Sequence, residues 1–305
     1  MNILFASTKE KPAFWFPLLQ KLLPADRFFG WPDNNGGDID VAIVATHPRG
    51  ALAGLPKLKL IQSLWMGVEN IVADPDLPKG VPVARLIDPG MVAAMTETAI
   101  AYVLDWHRHF YCYRTFQQQK LWKRRRQYLA SDRTVGILGI GELGGTIALR
   151  LRAMGFNVAG FSRRPKQIEG VYCSTDLEDV IRRSDAVICL LPLTEKTRGI
   201  INSKTLSLIR KDGCLINLAR GGHVVIADLV AALDSGHLAH AYLDVFETEP
   251  LPADSPLWAH PGITVTPHIA ALSEPRTAVG KIAENIERVR RGEKPLSTVD
   301  FAAGY

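Results

Sequence analysis

The chain has 305 residues, 47% hydrophobic and 22% charged, with 36 basic against 31 acidic side chains and a net charge of +5. That length allows about two domains with separate cores, and the composition is that of an ordinary globular protein. The mild positive balance suits anionic small molecules as well as nucleic acid and selects neither, while no run reaches the ~18 apolar residues that a membrane span needs. The chain opens directly on an apolar, β-rich run without the basic flank and longer apolar stretch of a secretory signal. Short β-rich runs follow at 2–7, 41–46, 59–64 and 81–86, with helical spacing between them, as at 13–23. A long helical pattern is expected from about Met91 to Trp122, ending at the basic run 123–126. A second strand and helix series begins at Arg133, with strands predicted at 134–140, 157–161, 186–191, 214–218, 241–245 and 263–266. The last helix, 273–291, is expected to cross back onto the first domain.

Strands alternating with helices imply parallel sheets covered by helices. The expected fold is therefore α/β, with two Rossmann-like or flavodoxin-like domains. One is discontinuous, 1–98 with 273–305, and the other spans 99–272. Four scattered cysteines, Cys112, Cys173, Cys189 and Cys214, show neither Cys-x-x-Cys nor a histidine at metal spacing. No metal site is expected. Cys189 and Cys214 lie in apolar runs and read as buried thiols, and a reducing, cytoplasmic setting is the default.

Gly139-Ile140-Gly141-Glu142-Leu143-Gly144 joins the predicted strand 134–140 to a helix. The first glycine makes the tight turn, the second lets a pyrophosphate approach the backbone, and the third lets the helix pack on the strand. The helix N-terminus then offers N–H groups and a positive dipole end. Such a match is weak by itself; the strand before it and the helix after it strengthen the reading. The next strand should end in an acidic residue if NAD is the ligand. It ends instead in Ser162-Arg163-Arg164-Pro165-Lys166. Arginine can grip a 2′-phosphate that a carboxylate would repel, so NADPH is expected over NADH. The bland reading is a solvated basic turn.

Three segments carry the remaining chemistry: Asn217-Leu218-Ala219-Arg220-Gly221-Gly222, Asp244-Val245-Phe246-Glu247-Thr248-Glu249-Pro250-Leu251, and Thr266-Pro267-His268-Ile269-Ala270. Residues at the carboxyl ends of parallel strands open onto the ligand crevice. Arg220 suits planar recognition of a 2-oxo acid. Hydride delivery to the oxo carbon leaves oxygen charge for a proton donor to quench, and His268 is the expected donor among eight histidines. His223, His237 and His240 show no partner pattern. A carboxylate beside the imidazole would hold its tautomer and favour imidazolium. Glu249 is the candidate, with Glu247 competing.

With these residues, and with Leu190-Leu191-Pro192-Leu193-Thr194, the chain resembles the D-isomer-specific 2-hydroxyacid dehydrogenase family over essentially its whole length. Phe161-Ser162-Arg163, the stretch 219–225, Leu233 to Gly236, Ser255 to Trp258 and the terminal Gly304-Tyr305 are similar to the subgroup that reduces glyoxylate and hydroxypyruvate. The resemblance implies that Arg220 binds the substrate's carboxylate and oxo oxygens, that His268 is the acid/base, and that Glu249 holds it charged. It implies cofactor contacts at Leu190, Pro192, Ala219 and Asp244, and a homodimer formed by the nucleotide domains. It also matches Leu64-Trp65-Met66-Gly67-Val68 to a turn whose backbone N–H groups hold the substrate carboxylate. Trp65 and Met66 replace smaller residues there, and Glu69 stands where Asp is common. That bulk either narrows the pocket toward acids of two or three carbons or packs within the first domain.

The expected activity is NADPH-dependent reduction of a small 2-oxo acid. The alternatives are a bulkier oxo acid such as phenylpyruvate, or a non-catalytic NADP sensor, which would need no proton donor. A nucleic-acid surface at 123–126, beside Trp122 and Tyr128, is the least favoured reading, because four successive charges usually form a solvated loop. No nucleic-acid or membrane partner is expected.

Overall fold

A computed structural model describes residues 1–301; Gly304 and Tyr305 of the family-like terminus lie outside the described residues. The chain forms two compact units, one of Met1–Met91 with the chain from Leu272 onward, the other of Val92–Ala271. In the first, β1 (Asn2–Ser7), α1 (Pro12–Leu22), β2 (Arg27–Gly30), β3 (Val41–Ala45), β4 (Leu60–Ser63), α2 (Glu69–Val72) and β5 (Val83–Ala84) build a five-stranded sheet, order β2-β1-β3-β4-β5. Every pairing is parallel. β3, Val-Ala-Ile-Val-Ala, is buried on both faces, the signature of a strand covered by helices on each side. β2 is half-exposed at the sheet edge and lacks the apolar run by which the other strands are legible.

The second unit contains α3 (Pro89–His107, entered at Val92), α4 (Phe110–Gln118), β6 (Thr134–Leu138), α5 (Glu142–Ala153), β7 (Asn157–Phe161), β8 (Tyr172–Ser174), α6 (Leu177–Arg183), β9 (Ala186–Cys189), α7 (Ser203–Leu208), β10 (Gly213–Asn217), α8 (Ile226–Asp234), β11 (Leu238–Leu243) and β12 (Ile263–Val265). They form a parallel seven-stranded sheet, order β12-β11-β10-β9-β6-β7-β8. Its core packs Leu138, Ile181, Val187, Leu206, Leu215 and Leu243. The single long helix expected to Trp122 is corrected to two. His109 takes a left-handed φ of 60° between α3 and α4, its ring nitrogen lies 3.0 Å from the Arg126 carbonyl, and the helix stops at Gln118. Residues 119–129 then run without regular structure, and Trp122 is 96% exposed.

The chain returns to the first unit through α9 (Pro275–Arg290), which buries Ala278, Val279, Ile282, Ala283 and Ile286 along one stripe. Asn285 on that stripe donates to Gln62 Oε1 of β4 at 2.8 Å and accepts from Leu296 N at 2.7 Å. Among the described residues, no helix is long and apolar enough to cross a membrane, and no cluster of three His, Cys, Asp or Glu could hold a metal.

Candidate active site

The seven-stranded sheet is in register along one row. Ser174, Phe161, Leu138, Cys189, Asn217, Leu243 and Val265 are successive partners across it. Each candidate segment of this unit leaves the sheet just beyond that row: Ser162 after β7, Gly139 after β6, Leu190 after β9, Arg220 after β10, Asp244 after β11 and His268 after β12. Parallel strands share a direction, so one edge of the sheet collects all of them.

The Gly-rich turn fits a dinucleotide. Gly139 has φ +106°, and its amide donates to the Phe161 carbonyl at 3.0 Å. A Cβ on Gly144 would lie 2.1 Å from the Gly139 carbonyl oxygen, so only hydrogen lets α5 pack this close. At Gly141 a Cβ would meet nothing within 4 Å, which leaves bare backbone facing open space. No side chain caps α5, and Glu142, Leu143 and Gly144 are its first residues. Ser162 Oγ donates to the Arg164 carbonyl at 2.7 Å, and Arg163 and Arg164 are exposed. Lys166 Nζ reaches back to the Ile140 carbonyl at 2.7 Å, placing a cation on the turn itself. Leu190 and Pro192 follow β9; the Pro192 carbonyl accepts from Thr197 Oγ1 at 2.7 Å.

Asn217 shapes the Arg220 turn. Its Oδ1 accepts from Ala219 N at 3.2 Å and its Nδ2 donates to the Arg220 carbonyl at 3.0 Å. Arg220 Nη1 donates to the Ala219 carbonyl at 2.6 Å. His223 differs from its sequence reading. It is fully buried, its ring nitrogens 3.0 Å from the Arg220 carbonyl and 3.2 Å from that of Pro192, so it ties the arginine turn to the segment after β9. His240 is also buried, with Nε2 2.8 Å from Thr264 Oγ1, and burial pulls its pKa down to about 4. Both are buried: His223 bridges its own turn to Pro192, 31 residues away, and His240 finds Thr264 on the neighbouring strand β12.

Glu249 and His268 meet. Nδ1 of the imidazole lies 2.8 Å from Glu249 Oε2, with both side chains part-exposed at 47% and 35%, and Glu249 Oε1 accepts from Phe246 N at 2.9 Å. Nε2 is therefore the ring nitrogen left for a reacting group. Glu247 instead pairs with Arg198 at 3.1 Å. Asp244 is fully buried. Its carboxylate accepts from Thr266 Oγ1 (2.6 Å), Ile269 N (2.9 Å) and Ala270 N (2.9 Å), and so holds the loop that carries His268. In the first unit, Ser63 Oγ closes a turn after β4 by accepting from Trp65 N at 3.0 Å and donating to the Trp65 carbonyl at 2.9 Å. Trp65, Met66 and Gly67 are half-buried there.

Asn217, His223 and Lys166 were not singled out from sequence. The available signals were an asparagine ending an apolar strand and a lysine two residues past the paired arginines.

A dinucleotide turn, a guanidinium and a carboxylate-held imidazole along one sheet edge are the parts a nucleotide-dependent dehydrogenase requires. Residues 100–270 match the family model described as D-isomer specific 2-hydroxyacid dehydrogenase, NAD binding domain. The chain is 41% identical over 313 residues, all of both chains, to glyoxylate/hydroxypyruvate reductase A of Serratia proteamaculans. Among solved structures, a D-isomer specific 2-hydroxyacid dehydrogenase from Xanthobacter autotrophicus Py2, in complex with NADPH and MES, matches with TM-score 0.95 and 40% identity, covering 100% of this chain and 99% of that one. An NADPH-dependent glyoxylate/hydroxypyruvate reductase from Sinorhizobium meliloti, in complex with NADP and sulfate, matches with TM-score 0.92 and 34% identity at the same coverage. The chain belongs to the D-isomer-specific 2-hydroxyacid dehydrogenase family.

Proposed function

We propose that the protein is an NADPH-dependent reductase of small 2-oxo acids, converting glyoxylate to glycolate and hydroxypyruvate to glycerate. The observation that carries this reading is the Glu249–His268 pair on the same sheet edge as the Gly-rich turn and Arg220. The names of the relatives from Serratia and Sinorhizobium support the substrate choice. Gly139, Gly141, Glu142, Leu143 and Gly144 cradle the pyrophosphate, and Ser162, Arg163 and Arg164 take the 2′-phosphate. Leu190, Pro192, Ala219 and Asp244 line the remaining cofactor path. NADPH, when bound, supplies the hydride for the oxo carbon. Arg220 binds the substrate's carboxylate and oxo oxygen, and His268 Nε2 gives that oxygen its proton. Glu249 fixes the tautomer through Nδ1 and stabilises the charged ring. The unit with the seven-stranded sheet is thus the cofactor domain, and the other is the substrate domain. Trp65, Met66 and Gly67 serve the substrate carboxylate; because the Trp65 amide is committed to Ser63, the role falls to the amides of Met66 and Gly67.

The proposal includes a cytoplasmic homodimer without nucleic-acid partners. The exposed Leu121 and Trp122 beside α4 support a dimer through the cofactor unit, and four cysteines without a disulfide fit a reducing compartment. The test is a panel of 2-oxo acids assayed with NADPH and with NADH. Turnover of glyoxylate and hydroxypyruvate with NADPH is the expected result. Preference for phenylpyruvate, a clear preference for NADH, or cofactor binding without turnover would each replace the corresponding part of the reading.

A further inference from the structure

His268 sits in an unusual backbone state. Its φ of +55° lies in the left-handed region, which a non-glycine residue holds only when its surroundings impose it. Its amide donates to the Asp244 carbonyl at 2.8 Å, and the Asp244 carboxylate grips the loop on both sides through Thr266, Ile269 and Ala270. Two contacts reach this clamp from α3: a long one, Thr98 Oγ1 donating to the Ala270 carbonyl at 3.4 Å, and a short one from Tyr102. Tyr102 Oη is 2.7 Å from Thr266 Oγ1. A threonine hydroxyl has one proton, and Thr266 gives it to Asp244 Oδ1. The donor in the Tyr102 contact is therefore the phenol, and burial raises the Tyr102 pKa, which keeps that proton in place. The ring cannot drift easily. It stacks on Tyr242 at 4.7 Å and 19°, and Tyr242 in turn donates to Asp105, which Arg114 holds with two bonds of 2.6 and 2.8 Å.

We propose that Tyr102 is a positioning residue for catalysis, acting through Thr266 and Asp244 to set the loop that carries His268. The inference rests on His268 being the proton donor. It assigns α3, which contributes no candidate reacting group, the task of fixing where the imidazole stands. The chain of bonds runs one way: Tyr102 to Thr266, Thr266 to Asp244, with the Ile269 and Ala270 amides closing on the same carboxylate.

Tyr102→Phe keeps the ring and its stack on Tyr242 while removing the one proton in question. The variant is expected to lower kcat about tenfold, since small misplacements of a reacting group have large rate effects. KM for NADPH should stay at the wild-type value, and Tm should move by no more than a few degrees. Hydrogen exchange of the Ile269 and Ala270 amides should accelerate with the rest of the unit unchanged, a readout independent of turnover. Thr266→Val should lower kcat at least as far, the double variant Tyr102→Phe/Thr266→Val no further than Thr266→Val alone, and Thr266→Ser should retain wild-type behaviour. Wild-type kcat in Tyr102→Phe, with a full isotope effect from deuterated NADPH showing that chemistry limits the rate, overturns the inference. So does an additive double variant, or faster exchange throughout the unit. If the wild type reduces no 2-oxo acid, the functional reading fails by itself, and the exchange data still decide whether Tyr102 holds the loop.

Discussion

Replacing Gly221 by Ala tests whether the site depends on one tight backbone contact. A Cβ there would lie 2.0 Å from the Phe246 carbonyl carbon and 2.1 Å from Glu247 N, where ordinary contact begins at 3.4 Å. Both obstacles are backbone, so no side-chain rotation relieves them. The Arg220 turn and the segment leading to Glu249 must part by more than 1 Å (3.4 minus 2.0 leaves 1.4). Glu249 is bonded to Phe246 N and to His268, so the wedge acts at the base of the imidazole's support. A displacement of ~1 Å costs on the order of 10² in rate, and overpacking costs about 1–3 kcal/mol of stability. Gly221→Ala should therefore lower kcat/KM for the best 2-oxo acid about a hundredfold, a loss of about 2.7 kcal/mol at the transition state, with NADPH affinity much less affected. Gly280→Ala in α9, where a Cβ meets nothing within 4 Å, is the control and should leave activity unchanged. Steady-state kinetics and thermal melts of both variants suffice. A Gly221→Ala enzyme within threefold of wild type, with an unchanged melt, would refute the claim that this contact sets the geometry.

His268→Ala should depress kcat by roughly 10²–10⁴, the usual scale of acid/base help, while NADPH still binds by calorimetry; unaltered kcat with chemistry limiting would remove the residue from the mechanism. Arg163→Ala with Arg164→Ala should raise KM for NADPH about 10- to 100-fold, as expected for lost charge-assisted hydrogen bonds, and leave KM for NADH unchanged; an equal effect on both cofactors would contradict a 2′-phosphate site. Burial holds His240 neutral when folded, with its pKa pulled from 6.5 to about 4, so the unfolded chain binds the extra proton between those values. Its contribution is present above pH 6.5 and lost as pH falls toward about 4, a change of about 3 kcal/mol that His240→Phe should abolish in urea melts; a folded-state imidazole titrating near 6.5 by NMR would disprove it.

The central strands were legible because burial on both faces makes their sequences continuously apolar, as in β3, β9 and β10. β2 and β8 were not, because Arg-Phe-Phe-Gly and Tyr-Cys-Ser carry no continuous aliphatic run, which the other edge strands, β5 and β12, do lie within. The break between α3 and α4 was hidden for a different reason. It depends on a left-handed histidine rather than on a glycine or proline, and what accompanies it is a contact with the Arg126 carbonyl 17 residues away. The same division holds in the site. Arg220 and His268 stand out because they follow apolar runs directly. Asn217, His223 and Tyr102 act on partners that periodicity does not reveal, and Tyr102 meets Thr266 across 164 residues.

Three carboxylates within six residues, Asp244, Glu247 and Glu249, show why residue type alone underdetermines a role. Asp244 is fully buried and accepts three donors from the His268 loop, so it anchors that loop. Glu247 is 75% exposed and pairs with Arg198, an arrangement that solvent screens to little consequence. Glu249 lies between these extremes. One oxygen is fixed by the Phe246 amide, which orients the group, and the other faces His268 Nδ1. A carboxylate must be held on one side and open on the other to steady an imidazole that gains and loses a proton. Of the three, only Glu249 has both, and that geometry supports the proposal that Glu249 rather than Glu247 serves His268.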